Sequence, residues 1–426
     1  MTQTMQSRAP RLSSTSYLAK IVSSAGWDTE LDPCTDEDIA RMTASAQTIK
    51  DHLAAGLPIY GLTRGFGPLV QYSAESELEQ GSSLISHLGT GQGAPFAPEI
   101  SRLVLWLRIQ NMRKGYSAVS PEFWQILTDL WNRGFTPAIP RHGTVSASGD
   151  LQPLAHAALA FTGAGEAWQR DPRGQWSTVP AREALGALGA QPFEWPVREA
   201  LAFVNGTGVS LAVSVLNQQS AVRLVRAAAV LTGRLARLLG ANPEHYEVGH
   251  GIARGQLGQL TAAEWIRQEL PDVMTRDPRR PLQEPYSLRC APQVLGAVLD
   301  QLDNVGDVLA REVVGCQDNP ITFDGRVLHG GNFHAMPVGL ASDQIGLAMH
   351  MAVYLAERQL GLLLSPSTNG DLPPMLTPRA GRGCGLAGVH ISATSFVCRI
   401  RQLAAPASLT TLPTNGWNQD HVPMAL

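Results

Sequence analysis

The chain has 426 residues, 44% of them hydrophobic, with Lys+Arg 33 against Asp+Glu 36 and a formal net charge of -3. That length exceeds one ordinary core, so one large or two intimately packed domains are expected, and the near-neutral balance excludes the field that nucleic acid or an anionic membrane would need. Five cysteines, Cys34, Cys290, Cys316, Cys384 and Cys398, form no CxxC pair, which argues against a disulfide framework or a thiolate metal site and for a reducing cytoplasm, with a small molecule or another subunit as partner.

Met1 to Ser16 mixes Ser, Thr and Gln with Arg8 and Arg11 and has no apolar run, so it reads as a disordered leader and not as a signal peptide. Thr35-Asp36-Glu37-Asp38 has the spacing of a capping box, and Ile39, Met42, Ala46, Ile49 and Leu53 follow at helical intervals. This predicts a helix ending at Gly56-Leu57-Pro58. The loop Tyr60-Gly61-Leu62-Thr63-Arg64-Gly65-Phe66-Gly67-Pro68 follows; its three glycines suit a backbone that approaches a ligand or takes positive φ, and a plain surface loop accounts for them equally well. His87-Leu88 lies in Leu84 to Gly93, where a single histidine beside apolar residues is more often a satisfied core group than a ligand. A helix is expected over Pro98 to Gly115, with Leu103, Leu107 and Met112 facing inward.

The run Gly143-Thr144-Val145-Ser146-Ala147-Ser148-Gly149-Asp150-Leu151 centres on three small residues that let the backbone fold sharply on itself. The Gly149 nitrogen could there attack the Ala147 carbonyl carbon and close a five-membered ring. Loss of water from the ring and from the Ser148 side chain would leave an exocyclic methylidene, an electrophile that no standard side chain provides. By itself an Ala-Ser-Gly tripeptide is common enough to arise by chance.

Leu154 to Phe161 reads as an Ala/Leu helix, and Asp171 to Pro196, broken by Pro and Gly, as a flexible surface insertion. From Glu199 the helices lengthen: Asn205-Gly206-Thr207-Gly208 leads into Val209 to Leu239, and Val294 to Val314 and Val338 to Leu364 are similarly apolar. Helices near 30 residues span about 45 Å, which implies an elongated bundle that oligomerises to cover its remaining apolar flanks. Asn217, Gln218, Gln219, Arg223, Arg226, Asp343 and Glu357 interrupt the apolar stretches too often for a membrane span. No βαβ alternation is evident, against a Rossmann or barrel architecture.

Taken in order, these motifs resemble the aromatic amino-acid ammonia-lyases and 2,3-aminomutases, which use a methylidene-imidazolone electrophile built from their own backbone. The resemblance runs from about Tyr60 to Met424. It rests on Tyr60 to Gly67, Gly143 to His156, Asn205-Gly206-Thr207, Tyr286-Ser287-Leu288-Arg289-Cys290, Asp318-Asn319-Pro320, Gly331-Asn332-Phe333-His334 and Asn418-Gln419-Asp420. It implies an all-α fold: a leader over 1–16, a mostly helical, loop-rich active-site domain over 17–204, and a central long-helix bundle over 205–426. It also implies a homotetramer whose active sites draw on three subunits.

The resemblance further implies a 4-methylidene-imidazol-5-one ring formed from Ala147, Ser148 and Gly149, with no dissociable cofactor and no metal. Tyr60, with a lowered pKa, would remove the β-proton, and Tyr286 would complete the catalytic set. Arg289 would pair bidentately with the substrate carboxylate. Asn205, Gln283, Tyr286 and Asn319 would orient amine, carboxylate and electrophile, beside Phe333 and Gly67. Asn205 also suits a helix cap, and Asn319 before Pro320 a turn.

Substrate choice in the family depends partly on the pair here occupied by His87-Leu88, which is similar to tyrosine- and histidine-using members. Gln419 stands where histidine lyases have a carboxylate, so the expectation is deamination of tyrosine, with histidine ammonia-lyase, an aromatic 2,3-aminomutase and a non-catalytic relative as alternatives. Arg64 replaces the family's small hydroxyl residue, and a cation there would lower the Tyr60 pKa or bind a further anionic group. Family members normally continue through several more helices beyond the segment ending at Leu426, which is expected to leave apolar surface uncovered.

Overall fold

The computed structural model describes residues 13–74 and 77–426. They form two compact units, each assembled from separated stretches of chain. The first takes Tyr17–Leu216, Val308–Ala341 and Ala407–Leu426; the second takes Asn217–Asp307 and Ser342–Pro406 together with 13–16. The sequential division expected after residue 204 gives way to an interleaved one, because the three longest helices, Gly208–Leu239, Ala291–Val314 and Met336–Leu364, each start in one unit and end in the other. Of the leader expected over 1–16, residues 13–16 belong to the helix Ser13–Ser24, and 1–12 lie outside the described residues.

In the first unit, the helix Asp36–Ala54 opens on the expected capping box. The Asp38 N–H donates to Thr35 Oγ at 3.2 Å, and the Thr35 N–H donates to the Asp38 carboxylate at 3.0 Å. Its buried stripe carries Met42, Ser45 and Ile49. Ile49 joins Ile59, Leu62, Ala118, Val197 and Val327 in one apolar cluster. Val327 belongs to an antiparallel hairpin, Ile321–Phe323 with Arg326–Leu328, in the register Thr322 opposite Val327. Burial of each such side chain contributes roughly 1.5 to 3 kcal/mol, so this cluster fixes the hairpin, and with it the residues just outside, against the helix.

The helix Pro98–Met112 departs from its one-sided reading, because nearly all of its residues are buried, Arg102 and Arg108 included. The Arg102 guanidinium stacks on Trp131 at 3.6 Å and donates to the Trp131 and Gly26 carbonyls at 3.0 and 3.1 Å. Its aliphatic stem and planar head are thus both accommodated in the core.

The stretch expected to be a flexible insertion is packed. Glu166–Arg170 and Trp176–Pro180 pair antiparallel and extend Thr136–Pro137 into a three-stranded sheet. The helix Ala181–Ala187 follows, and Trp195 sits buried among Phe123, Phe161, Phe193 and Phe203. The aromatic cluster anchors what the Pro and Gly content made look loose. Gln92–Pro95 pairs with Pro140–His142, so the protein is helical with a few short antiparallel sheets whose strands are too brief to show a period in the sequence.

The second unit is built on the continuations of the long helices, with Leu235, Leu239, Leu288 and Leu362 in one apolar cluster. Gln359 locks it by donating to Thr232 Oγ1 and to the Ser287 carbonyl, both at 2.8 Å. Val197–Leu239 is apolar and long enough to cross a membrane, but 89% of its most apolar window is buried inside the protein. It is a core element.

Candidate active site

The turn at Ala147-Ser148-Gly149 is bracketed by two residues of positive φ, Ser146 at 55° and Gly149 at 72°. Ala147 and Gly149 pair across it, which leaves Ser148 at the apex. Position 149 has no room for a side chain: a Cβ there would stand 2.5 Å from the Gly206 nitrogen and oxygen. The turn is pinned from below by Asp150, which is fully buried. Its Oδ1 accepts from Ser146 Oγ at 2.9 Å, and its Oδ2 accepts from the Val209 N–H at 2.9 Å, the Ser210 N–H at 2.7 Å and Ser210 Oγ at 2.9 Å. Burial pushes this carboxyl up, against hydrogen bonds from Ser210, Ser146 and Val209 that all favour the carboxylate. Asp150 thereby caps the first turn of the helix Gly208–Leu239 from a distance.

From above, Asn205 Nδ2 donates to the Ser148 carbonyl at 2.8 Å and Gln419 Nε2 donates to Ser148 Oγ at 2.6 Å. Asn205 Oδ1 is buried with no partner. The segment around Gln419 is itself fastened to the turn, since the Met424 N–H donates to the Val145 carbonyl at 3.1 Å.

Ser148 opens into a cavity of about 900 Å³ that Tyr60, Gly67, His87, Leu88, Asn205, Asn319, Phe333 and Gln419 also line. This is within the range of small-molecule sites. Tyr60 Oη accepts the Gly67 N–H at 2.9 Å, and its ring meets Phe66 edge-on at 6.0 Å between centroids. The expectation of a lowered Tyr60 pKa is corrected: burial raises it, and the Gly67 hydrogen bond pulls the other way without prevailing. Arg64 supplies no offsetting charge, because its guanidinium is turned to the Gln71 carbonyl at 3.4 Å. His87 Nδ1 is 2.8 Å from the Ser83 carbonyl, so that nitrogen carries the proton and Nε2 is left as an acceptor in the neutral ring. Asn319 Oδ1 accepts the Gly330 N–H at 2.7 Å. Asn415 and Asn418 line the same cavity and went unnoticed as individual residues, although both stand within four positions of Gln419.

The sequence pattern of the family described as aromatic amino acid lyase matches residues 18–426. A histidine ammonia-lyase from Aromatoleum aromaticum is 38% identical over 405 residues, covering 93% of this chain and 75% of the relative. A histidine ammonia-lyase from Burkholderia cenocepacia is 36% identical over 404 residues, covering 93% and 78%. Among solved structures, tyrosine aminomutase from Streptomyces globisporus superposes with a TM-score of 0.87 at 30% identity, covering 96% of this chain and 81% of that one. Histidine ammonia-lyase from Trypanosoma cruzi gives 0.84 at 28% identity, covering 96% and 77%. The chain belongs to the aromatic amino acid lyase family. It is a carbon-nitrogen lyase with the helical fold of these enzymes.

Three expected site residues are not among those that line the cavity in this family member. Gln283, Tyr286 and Arg289 belong to the second unit. They form a cluster of their own. Arg289 donates to Gln283 Oε1 at 3.0 Å and to the Glu284 carbonyl at 3.1 Å, and its guanidinium lies 4.7 Å over the Tyr286 ring, which is 71% exposed. Beneath it Glu284 is buried and paired with Arg280 at 2.5 Å.

The buried Arg108 and the half-buried Lys114 hold the chain leading to two residues of the cavity. Arg108 donates to the Phe203 carbonyl at 3.0 Å and to that of Ala202, at the end of the helix Val197–Val204 that delivers Asn205. Lys114 donates to the Val313 carbonyl at 2.8 Å and to that of Gly315, at the end of the helix Ala291–Val314 from which the chain runs on to Asn319. Each cation satisfies carbonyls that a helix C-terminus leaves bare. Burial lowers the Lys114 pKa to about 8. Between them Arg198 forms a buried ion pair with Asp318, whose Oδ1 accepts the Asn319 N–H at 2.7 Å. No period in the sequence marks Arg108, Lys114 or Arg198 as inward.

Proposed function

We propose that this lyase deaminates L-histidine without oxidation, releasing ammonia and the α,β-unsaturated acid urocanate. The observation that carries the reading is His87. Its Nδ1 is committed to Ser83, which leaves Nε2 of this cavity-lining ring as the acceptor for an N–H of the substrate ring. The relatives at 36 and 38% identity named histidine ammonia-lyase support histidine over the tyrosine preferred from the sequence. Gln419, a neutral amide, is the feature that favours tyrosine, because a carboxylate would suit an imidazole better.

The turn at Ala147-Ser148-Gly149 fits the methylidene-imidazolone ring of the family: Gly149 packs without a side chain on Gly206, the Ser148 carbonyl is held by Asn205, and the orphaned Asn205 Oδ1 lies beside them. When formed, that ring supplies an electrophile that makes the substrate amine a leaving group. The side chains do the rest. Tyr60 takes the β-proton, and Asn205 Oδ1 receives a donor of the substrate amine. Phe333 and Leu88 pack on the ring, and His87 fixes its far edge.

The Arg289, Gln283 and Tyr286 cluster binds the substrate carboxylate in the cavity of another copy. A soluble, cytoplasmic homotetramer is the assembly this reading requires. Leu224, Leu231 and Leu238, seven residues apart and 58, 60 and 62% exposed, give the helix Gly208–Leu239 an apolar stripe for such a contact. The test is product analysis of the purified chain offered histidine, tyrosine and phenylalanine, with intact mass to detect loss of two water molecules. Urocanate is expected, and a Ser148→Ala chain should keep its full mass and make none. Coumarate without urocanate would select tyrosine, and β-amino acid products would select an aminomutase.

A further inference from the structure

Tyr60 is held at both ends, and only one end involves its side chain. The phenol accepts the Gly67 N–H, while the Tyr60 main-chain N–H donates to His329 Nε2 at 3.1 Å. The next peptide does the same for a second cavity residue, since the Gly330 N–H donates to Asn319 Oδ1 at 2.7 Å. His329 directly follows the strand Arg326–Leu328, which pairs with Ile321–Phe323, two residues beyond Asn319. This hairpin is fixed to the helix Asp36–Ala54 by Val327 in the apolar cluster and by Ser45 Oγ against Thr322 Oγ1 at 2.5 Å. The dipeptide His329-Gly330 therefore sits on a rigid support and reaches two groups of the cavity at once.

From this we infer that His329 is a positioning residue for Tyr60, and that its neutral ring, together with the Gly330 amide, holds the general base and Asn319 in mutual register. The catalytic part of the inference rests on the functional reading above. The chemistry dictates the protonation state. A ring nitrogen that accepts an amide N–H carries no proton, so the latch requires the neutral tautomer with hydrogen on Nδ1. Protonation would set one N–H against another and break the contact.

The surroundings favour the neutral form. His52, on the helix Asp36–Ala54, is close enough to act on the ring's charge, and Arg64 and Tyr60 border the small cavity that His329 lines; among the described residues no carboxylate borders it. Burial depresses the His329 pKa below its ordinary value, and His52 adds to this. The latch is thus engaged at neutral pH and released on acidification, at a point below about 6.5.

The experiment uses the full chain and the variants H329Q and H329L. Amide exchange of the segment 59–66 is followed by mass spectrometry across pH, corrected for intrinsic rates, alongside the pH profile of deamination. In the unaltered chain, protection of this segment should fall about tenfold per pH unit below the release point, and kcat should fall there about tenfold per pH unit more steeply than it does above that point, where Tyr60 alone sets the slope. H329L should lose protection at every pH and drop kcat by about 10²-fold with a smaller change in KM, because displacement of a catalytic group by an ångström costs that much. H329Q, whose amide oxygen accepts at any pH, should restore protection and activity at neutral pH and carry both to lower pH. If H329Q keeps the original acid limb, or if H329L leaves the segment protected, the inference is overturned. H329Q decides the matter even if H329L does not fold. If no chain forms product from any substrate, the functional reading fails, and the exchange measurement still decides whether His329 holds Tyr60.

Discussion

Replacing Asp150 isolates the role of the carboxylate beneath the turn. In Asp150→Ala, four donors lose their acceptor. The Ser146 and Ser210 hydroxyls can rotate, and Ser210 Oγ already has the Thr207 carbonyl at 3.2 Å. The Val209 and Ser210 amides cannot, because they belong to the first turn of a buried helix. Two orphaned buried amides at about 1 to 3 kcal/mol each give a loss of about 2 to 6 kcal/mol, a large part of the 5 to 15 kcal/mol that folded proteins typically possess. Asp150→Asn keeps one oxygen for the three donors on Oδ2 and turns its amide to Ser146 Oγ, which can accept, so the loss should be about 1 to 2 kcal/mol. Urea unfolding followed by circular dichroism measures both, and intact mass reports whether the turn still cyclises. Equal losses in the two variants, or an Ala variant within 0.5 kcal/mol of the parent by this order-of-magnitude scale, would refute the capping role.

Because burial raises the Tyr60 pKa, kcat/KM should climb with pH and reach its half-point at or above about 10, the ordinary tyrosine value; a pH titration with Tyr60→Phe as the inactive control measures it, and a half-point near 7 would contradict the assignment. Gly61→Ala should cost about 2 to 4 kcal/mol by thermal or urea unfolding, since φ is +79° and the new Cβ would stand 2.7 Å from Phe66 Cε1 and 2.8 Å from Leu201 Cδ2. Thr35→Ala removes the hydroxyl half of the capping box, leaves the residue 35 N–H to Asp38, and should lower stability by about 1 kcal/mol. Asp38 is pushed up by burial but pulled further down by Thr35 and Arg113, to about 2. Its contribution should be present above about 3.9 and vanish as pH falls through about 2, a loss that Arg113→Leu should blunt in acid unfolding curves.

What the sequence disclosed follows the range of the interactions involved. The capping box at Thr35, the tight turn at Ala147-Ser148-Gly149 and the glycine loop after Tyr60 are local arrangements, and each appears in the structure where residue spacing placed it. Arg108, within an apolar helix, and Lys114, in the turn just after it, were illegible because their partners lie 94 and 199 positions away. Trp195 was hidden similarly: Pro and Gly around it suggested looseness, while Phe123 and Phe161, two of the rings around it, come from distant parts of the chain. The pKa of Tyr60 depends on burial, which spacing does not reveal, and Arg64, expected either to lower it or to bind a further anionic group, donates to a carbonyl.

The strap formed by Gln419 and Met424 also orders events in time. Gln419 reaches Ser148 across 271 positions of chain, and Met424 reaches Val145. At a synthesis rate of roughly 5 to 20 residues per second, the two sides of that contact leave the ribosome tens of seconds apart. Through that interval the turn can gain its bonds to Asp150 and Asn205 but lacks those to Gln419 and Met424. In a nascent chain the Ser148 hydroxyl is therefore without its Gln419 partner until the residues that supply it have been made.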